Sequence, residues 1–124
     1  MSIAGLLRHM AEVERHWFQK YLRGDARDRL FWDGGPGDPD FEVPETVTLA
    51  ETLALHEREV ATSREIAAGY SLDDLAALND LDRGFGVDWQ PNLRWIMVHM
   101  IEEYARHCGH ADFIRERIDG ATGD

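Results

Sequence analysis

Two residues in the last long apolar stretch of this chain are of types that do chemistry and stand one helical turn apart: Glu103 and His107. The stretch 93–118 reads LRWIMVHMIEEYARHCGHADFIRERI. Its apolar residues Leu93, Ile96, Met97, Met100, Tyr104, Ala111, Ile114 and Ile118 recur with the period of an α-helix. Glu103 and His107 lie within that stripe or at its edge, so the spacing predicts that they project side by side toward the core. A carboxylate and an imidazole are costly to bury without a partner. A divalent metal would be one, since carboxylate oxygen and imidazole nitrogen are ordinary ligands of zinc and its neighbours. A third ligand from another helix would close an open, catalytic-type site, and His9 in the first helix is the best candidate.

The alternatives are specific. His56 also faces the core of its own helix and is a rival third ligand or a hydrogen-bonding support. His110 follows His107 by three residues, so Glu103, His107 and His110 form a competing set along one helix. His16, beside Trp17, reads as a residue at the bundle edge. Without a metal, Glu103 would pair with Arg106 or Arg94, a surface contact worth under ~1 kcal/mol. Cys108 points roughly a hundred degrees away from His107 around the helix and reads as a buried, inert thiol. Trp32 and Trp89 fall in irregular segments and could line a pocket mouth. The glycines at 34–37 read as a turn, not a phosphate cradle, because no strand precedes them. With Ser2, Ser63 and Ser71 the only serines, no nucleophile triad can be read. Catalytic residues beyond the ligand candidates stay unassigned.

The elements that must position these residues are helices. Residues 2–23 are predicted as the first, capped by Ser2, with Ile3, Leu6, Met10, Val13, Trp17 and Tyr21 inward and Gly24 at its end. Residues 25–46 are rich in Gly, Pro and Asp, which is loop chemistry, and a crossover of this length is often functional. Residues 48–70 form the second helix, opened by a Thr48/Glu51 capping box and facing inward through Leu49, Leu53, His56, Val60 and Ala67. A short helix is expected at 71–78, with Ser71 and Asp74 in the same capping-box spacing, then an irregular connection over 79–92. Asn92 caps the third long helix, which runs to Asp119 and stops at Gly120. The fold expected is all-α, three long helices and one short, as a single domain over residues 1–124.

Composition narrows the function classes. The formal net charge is −11, from 24 acidic and 13 basic residues, and there is one lysine. Such a balance repels phosphate backbones and anionic lipid, so neither nucleic acid nor membrane is expected as a partner. A single cysteine permits no internal disulfide and, with no signal-peptide or membrane-spanning pattern, points to the cytoplasm.

LLRHMAEVERHWF at 6–18, TLAETLALHEREVATSREI at 48–66 and LRWIMVHMIEEYARHCGHADFIRERIDG at 93–120 together resemble the DinB/YfiT-like superfamily of metalloenzymes. Within it they are similar to the actinobacterial mini-circle protein branch, which is related to mycothiol-dependent enzymes. The resemblance implies a helical bundle with a divalent metal, zinc or nickel, held in its interior by three side chains. It implies His9, Glu103 and His107 as those ligands. It also implies a low-molecular-weight thiol such as mycothiol, a small electrophile, and S-transferase chemistry. The alternative it leaves is a non-catalytic, metal-binding stress or interaction module. Family members begin with a helix ahead of the one that holds the first histidine, whereas this chain starts at that second helix. The first family helix is therefore expected to be missing or supplied by a partner, and a homodimer is the expected way to cover the open flank.

Overall fold

The computed structural model of the chain describes residues 1–26, 29–31, 37–77 and 90–123. Among these the regular structure is entirely helical: α1 spans Ile3–Glu14, a π-helical segment continues it over Arg15–Leu22, α2 spans Leu49–Ala67 and α3 spans Leu93–Asp119. The expected caps form. Ser2 accepts from the amide of Gly5, Thr48 and Glu51 make a complete capping box, and Asn92 accepts from Trp95. Gly120 ends α3 in the left-handed conformation that glycine adopts without strain. The expectations for Trp32, Trp89, the glycines at 34 and 35 and most of the 79–92 connection lie outside the described residues.

The first helix is one continuous rod only in outline. From Arg15 onward it is wound as a π-helix, which turns less per residue than an α-helix. The inward face therefore slips by one position. Phe18 and Leu22 are buried where an unbroken α-helix would have turned Trp17 and Tyr21 inward, and those two are only half-buried. The segment ends at Gly24, whose φ of +81° and close approach to Ala77 both exclude a side chain.

The hydrophobic core comprises Met10, Phe18, Leu22, Ile66, Ala76, Leu93, Ile96 and Met100, so α1 with its π segment is the shared wall between α2 and α3. α1 packs chiefly against α2 and also against α3, while α2 and α3 make few contacts with each other. Two departures from the sequence reading follow. The buried face of α2 is Thr52, Glu59, Ser63 and Ile66, next to the expected stripe, and Leu49 and Leu53 are exposed. Glu59 explains the rotation: it accepts from Arg15 at 2.8 and 3.2 Å and from Gln19 at 2.6 Å, a charged clasp onto the π segment. Because α2 faces α1 through this clasp, its apolar stripe borders an open groove toward Met97 and Ile101 of α3.

The short helix expected at 71–78 does not form over the described residues 71–77. Ser71 donates from its amide and its hydroxyl to the Asp74 carboxylate, so half of the predicted capping box forms, but the chain then extends into a bridge between Leu75 and Asn92. The reason is competition for backbone groups. The amides of Ala76 and Ala77 donate to Pro91 and Leu22, and the carbonyls of Asp74 and Leu72 accept from Leu93 and Arg94. Those last two amides belong to the first turn of α3, which has no partners of its own. The segment serves as a cap for α3 instead of becoming a helix.

Candidate metal centre

His9 stands in the middle of α1, and Glu103 and His107 in the middle of α3, where the two helices face each other. One ligand atom from each lies within 4.8 Å of the other two, and among the described residues these three form the group able to hold an ion. Glu103 and His107 are buried, and His9 is mostly so. The His9 and His107 rings lie 4.7 Å apart, centroid to centroid. His107 Nε2 is 3.4 Å from Glu103 Oε2. Two donors bound to one tetrahedral zinc at about 2.0–2.1 Å would stand about 3.3–3.4 Å apart, so this pair has the spacing of two ligands. The donor set of two imidazoles and a carboxylate, with room for a further ligand, fits a divalent metal of the catalytic type.

Each of these side chains is held from behind. Glu103 Oε1 accepts from Arg106 at 3.1 Å and lies 3.6 Å from His99 Nε2, which leaves Oε2 toward His107. Arg106 is thus the expected ion-pair partner, while Arg94 binds Asp73 instead. His107 Nδ1 is 3.3 Å from His110 Nδ1, so one of the two nitrogens carries the shared hydrogen. His110 therefore supports the side of His107 that faces away from Glu103, and it stands outside the group of three. Burial first, and then the neighbouring His9, hold His107 below the ordinary imidazole pKa. A neutral imidazole is the form that can ligate a metal.

His56 is placed elsewhere. Its Nε2 is 3.0 Å from the hydroxyl of Tyr104, whose single hydrogen is donated to Glu14 at 2.6 Å. His56 Nε2 must then be the donor to Tyr104. Burial lowers the His56 pKa, and burial together with the bond to Glu14 raises that of the Tyr104 phenol, so both stay neutral. His56 and Tyr104 border a recess of about 170 Å³ beside His107, floored by Leu6, Leu7 and Met10. Cys108 also borders it and is exposed, not buried as the sequence suggested. The step of about a hundred degrees around the helix from His107 to Cys108 turns the thiol from the buried face toward solvent.

Asp40 and Phe41 were not foreseen. Asp40 Oδ2 lies 3.2 Å from His9 Nδ1, and the Phe41 ring stacks on His9 at 4.6 Å with 21° between planes. They come from a loop in which no periodicity marks one residue above another. The Asp-rich composition of 38–40 was the available signal, and it reads equally well as a turn.

With this geometry in place, comparison with known families is decisive: the model of the family described as mycothiol S-transferase matches residues 1–120. The chain belongs to the mycothiol S-transferase family. This is a DinB/YfiT-like family, in agreement with the resemblance of the helix motifs. Membership points to mycothiol-related transferase activity and a thiol substrate. No curated protein and no solved structure matches the chain. Among the described residues of this mycothiol S-transferase family member, no helix is long and apolar enough to cross a membrane.

Proposed function

We propose that this chain is a cytoplasmic, metal-dependent thiol S-transferase acting as one domain over residues 1–124, with His9, Glu103 and His107 as ligands of a divalent metal, zinc or nickel. The observation that carries the reading is the convergence of three donors from two helices within 4.8 Å, two of them at ligand spacing, in a member of a thiol-transferase family. When bound, such a metal lowers the pKa of a coordinated thiol, so that thiolate is available at neutral pH. The two imidazoles and the carboxylate hold the centre with one negative charge among them. Leu6, Leu7 and Met10 keep one side of it dry, which strengthens every electrostatic contact there. The thiol sulfur bonds to an electrophilic carbon, whose leaving group or π bond takes the electron pair, and the thiol proton passes to solvent.

Replacing His9, Glu103 or His107 by Ala is expected to abolish stoichiometric metal, because three protein ligands are the usual minimum for an open site. His110→Ala is expected to keep it. Elemental analysis of the purified proteins decides the point, and full metal retained in His107→Ala would refute the ligand set. Metal in the wild type with no transfer from mycothiol to any electrophile would favour the non-catalytic, metal-binding module. The groove bordered by Val60 and Ala67 of α2 and by Met97 and Ile101 of α3 supports a homodimer in which a second copy covers this flank.

A further inference from the structure

Four residues of α1 at helical spacing, Gly5, Arg8, His9 and Glu12, receive the crossover loop. At Gly5 a Cβ would meet the Phe41 carbonyl oxygen at 3.0 Å and its Cα at 3.3 Å, so the loop reaches the helix because no side chain is there. Arg8 is buried with its guanidinium 3.7 Å above the centroid of the Phe31 ring. It donates to the carbonyls of Asp40 at 3.2 Å and Pro39 at 3.3 Å. Glu12 accepts from the amide of Leu30 at 2.6 Å. A buried cation fastened to two successive carbonyls is a strong restraint on a loop without regular structure. Its result is that Asp40, itself buried, is brought against the Nδ1 edge of His9 while Phe41 covers the ring face.

We infer that Asp40 is the positioning residue of the candidate metal centre. Its carboxylate accepts the Nδ1 hydrogen of His9 and so leaves Nε2 as the bare donor toward Glu103 and His107. The inference rests on the metal-centre reading above. A carboxylate accepts and does not donate, so the hydrogen between the two groups sits on Nδ1. Imidazole ligands commonly have such a partner, which selects the tautomer, fixes the ring and makes the free nitrogen more basic. Arg8 and Gly5 act one step further out, by holding the loop that carries Asp40.

The test compares the wild type with Asp40→Ala and the isosteric Asp40→Asn, by two measurements. In metal-free protein at mildly alkaline pH, nitrogen-15 NMR of the imidazoles reads the His9 tautomer. Competition with a chromogenic chelator reads zinc affinity. The wild type is expected to hold the Nδ1–H tautomer. Asp40→Ala is expected to lose that preference and to bind zinc 10–100-fold more weakly. Asp40→Asn keeps an accepting oxygen, so it should keep the tautomer and fall between the two in affinity. An Nε2–H tautomer in the wild type overturns the inference, and needs no variant to fold. So does zinc affinity in Asp40→Ala within twofold of the wild type, in a protein whose His107→Ala variant has lost zinc. In that case the ligand set survives and the positioning role does not. A wild type that takes up no zinc, yet whose His9 tautomer follows Asp40, upholds the positioning of His9 and refutes the metal reading instead.

Discussion

At the scale of single residues, burial disfavours the charged forms of two histidines, His107 in the centre and His56 at the recess beside it. His56 and His107 are both held below the ordinary imidazole value of 6.5, in each case chiefly by burial. The unfolded chain takes up these two protons near that value, whereas the folded chain resists them until lower pH. The unfolded state then binds more protons below about pH 6.5, so the metal-free protein should lose stability as the pH falls through that region. Melting curves between about pH 7.5 and pH 5.5 check the sign, and His56→Gln, which keeps a donor for Tyr104, should flatten the slope. Glu12 works in the opposite sense. Burial raises its pKa above 4.5, so its contribution is fully present below that value and is lost as the pH rises through the shifted one. A stability that rises steadily on acidification from pH 7 would contradict the histidine assignment.

At the scale of elements, two polar devices hold α1 against its neighbours. Glu59 is the anchor of the first, since its carboxylate satisfies Arg15 and Gln19 together in a buried seam. Glu59→Ala would leave Arg15 and the buried Gln19 without their acceptor and should cost about 3 kcal/mol, read by denaturant unfolding. A change below about 0.5 kcal/mol would mean that the clasp is incidental. The second device is the bare backbone at Gly5. Gly5→Ala is expected to push Phe41 and the loop outward, at about 1–3 kcal/mol as for other overpacked contacts. Because that loop carries Asp40, zinc binding should weaken with it. The comparison with an exposed control such as Ala54→Ser would separate this from general damage.

At the scale of the whole molecule, the shared wall of α1 leaves α2 and α3 apart, with a groove between them. Val60 and Ala67 line it on one side and Met97 and Ile101 on the other, the last two 42% and 69% exposed, an apolar flank of the kind a partner covers. The proposed homodimer predicts about twice the monomer mass by sedimentation at micromolar concentration, and dissociation on Ile101→Glu. A monomer under those conditions would refute it. The charge of −11 on each copy predicts that association strengthens as salt is added, through screening of like charges.

Periodicity and capping chemistry were legible in the chain alone. Ser2, the Thr48/Glu51 box, Asn92 and Gly120 each act within four residues of their partners, so local sequence carries enough information to place the helix ends. The pairing of Glu103 with His107 is of the same kind, because one helical turn brings them together in any fold. Tertiary structure decided what is distant in sequence. His9, His56 and His110 were rivals until packing put His9 across from α3, turned His56 to Tyr104 and set His110 behind His107. The inward face of α2 was settled by Glu59 meeting Arg15 across 44 residues, against the apolar stripe beside it. The 71–77 segment gave up its helix because its backbone groups found better partners in α3 and at Leu22. Asp40 reaches His9 across 31 residues, along a loop whose path follows from Arg8 and Gly5 and from no repeat in its own sequence.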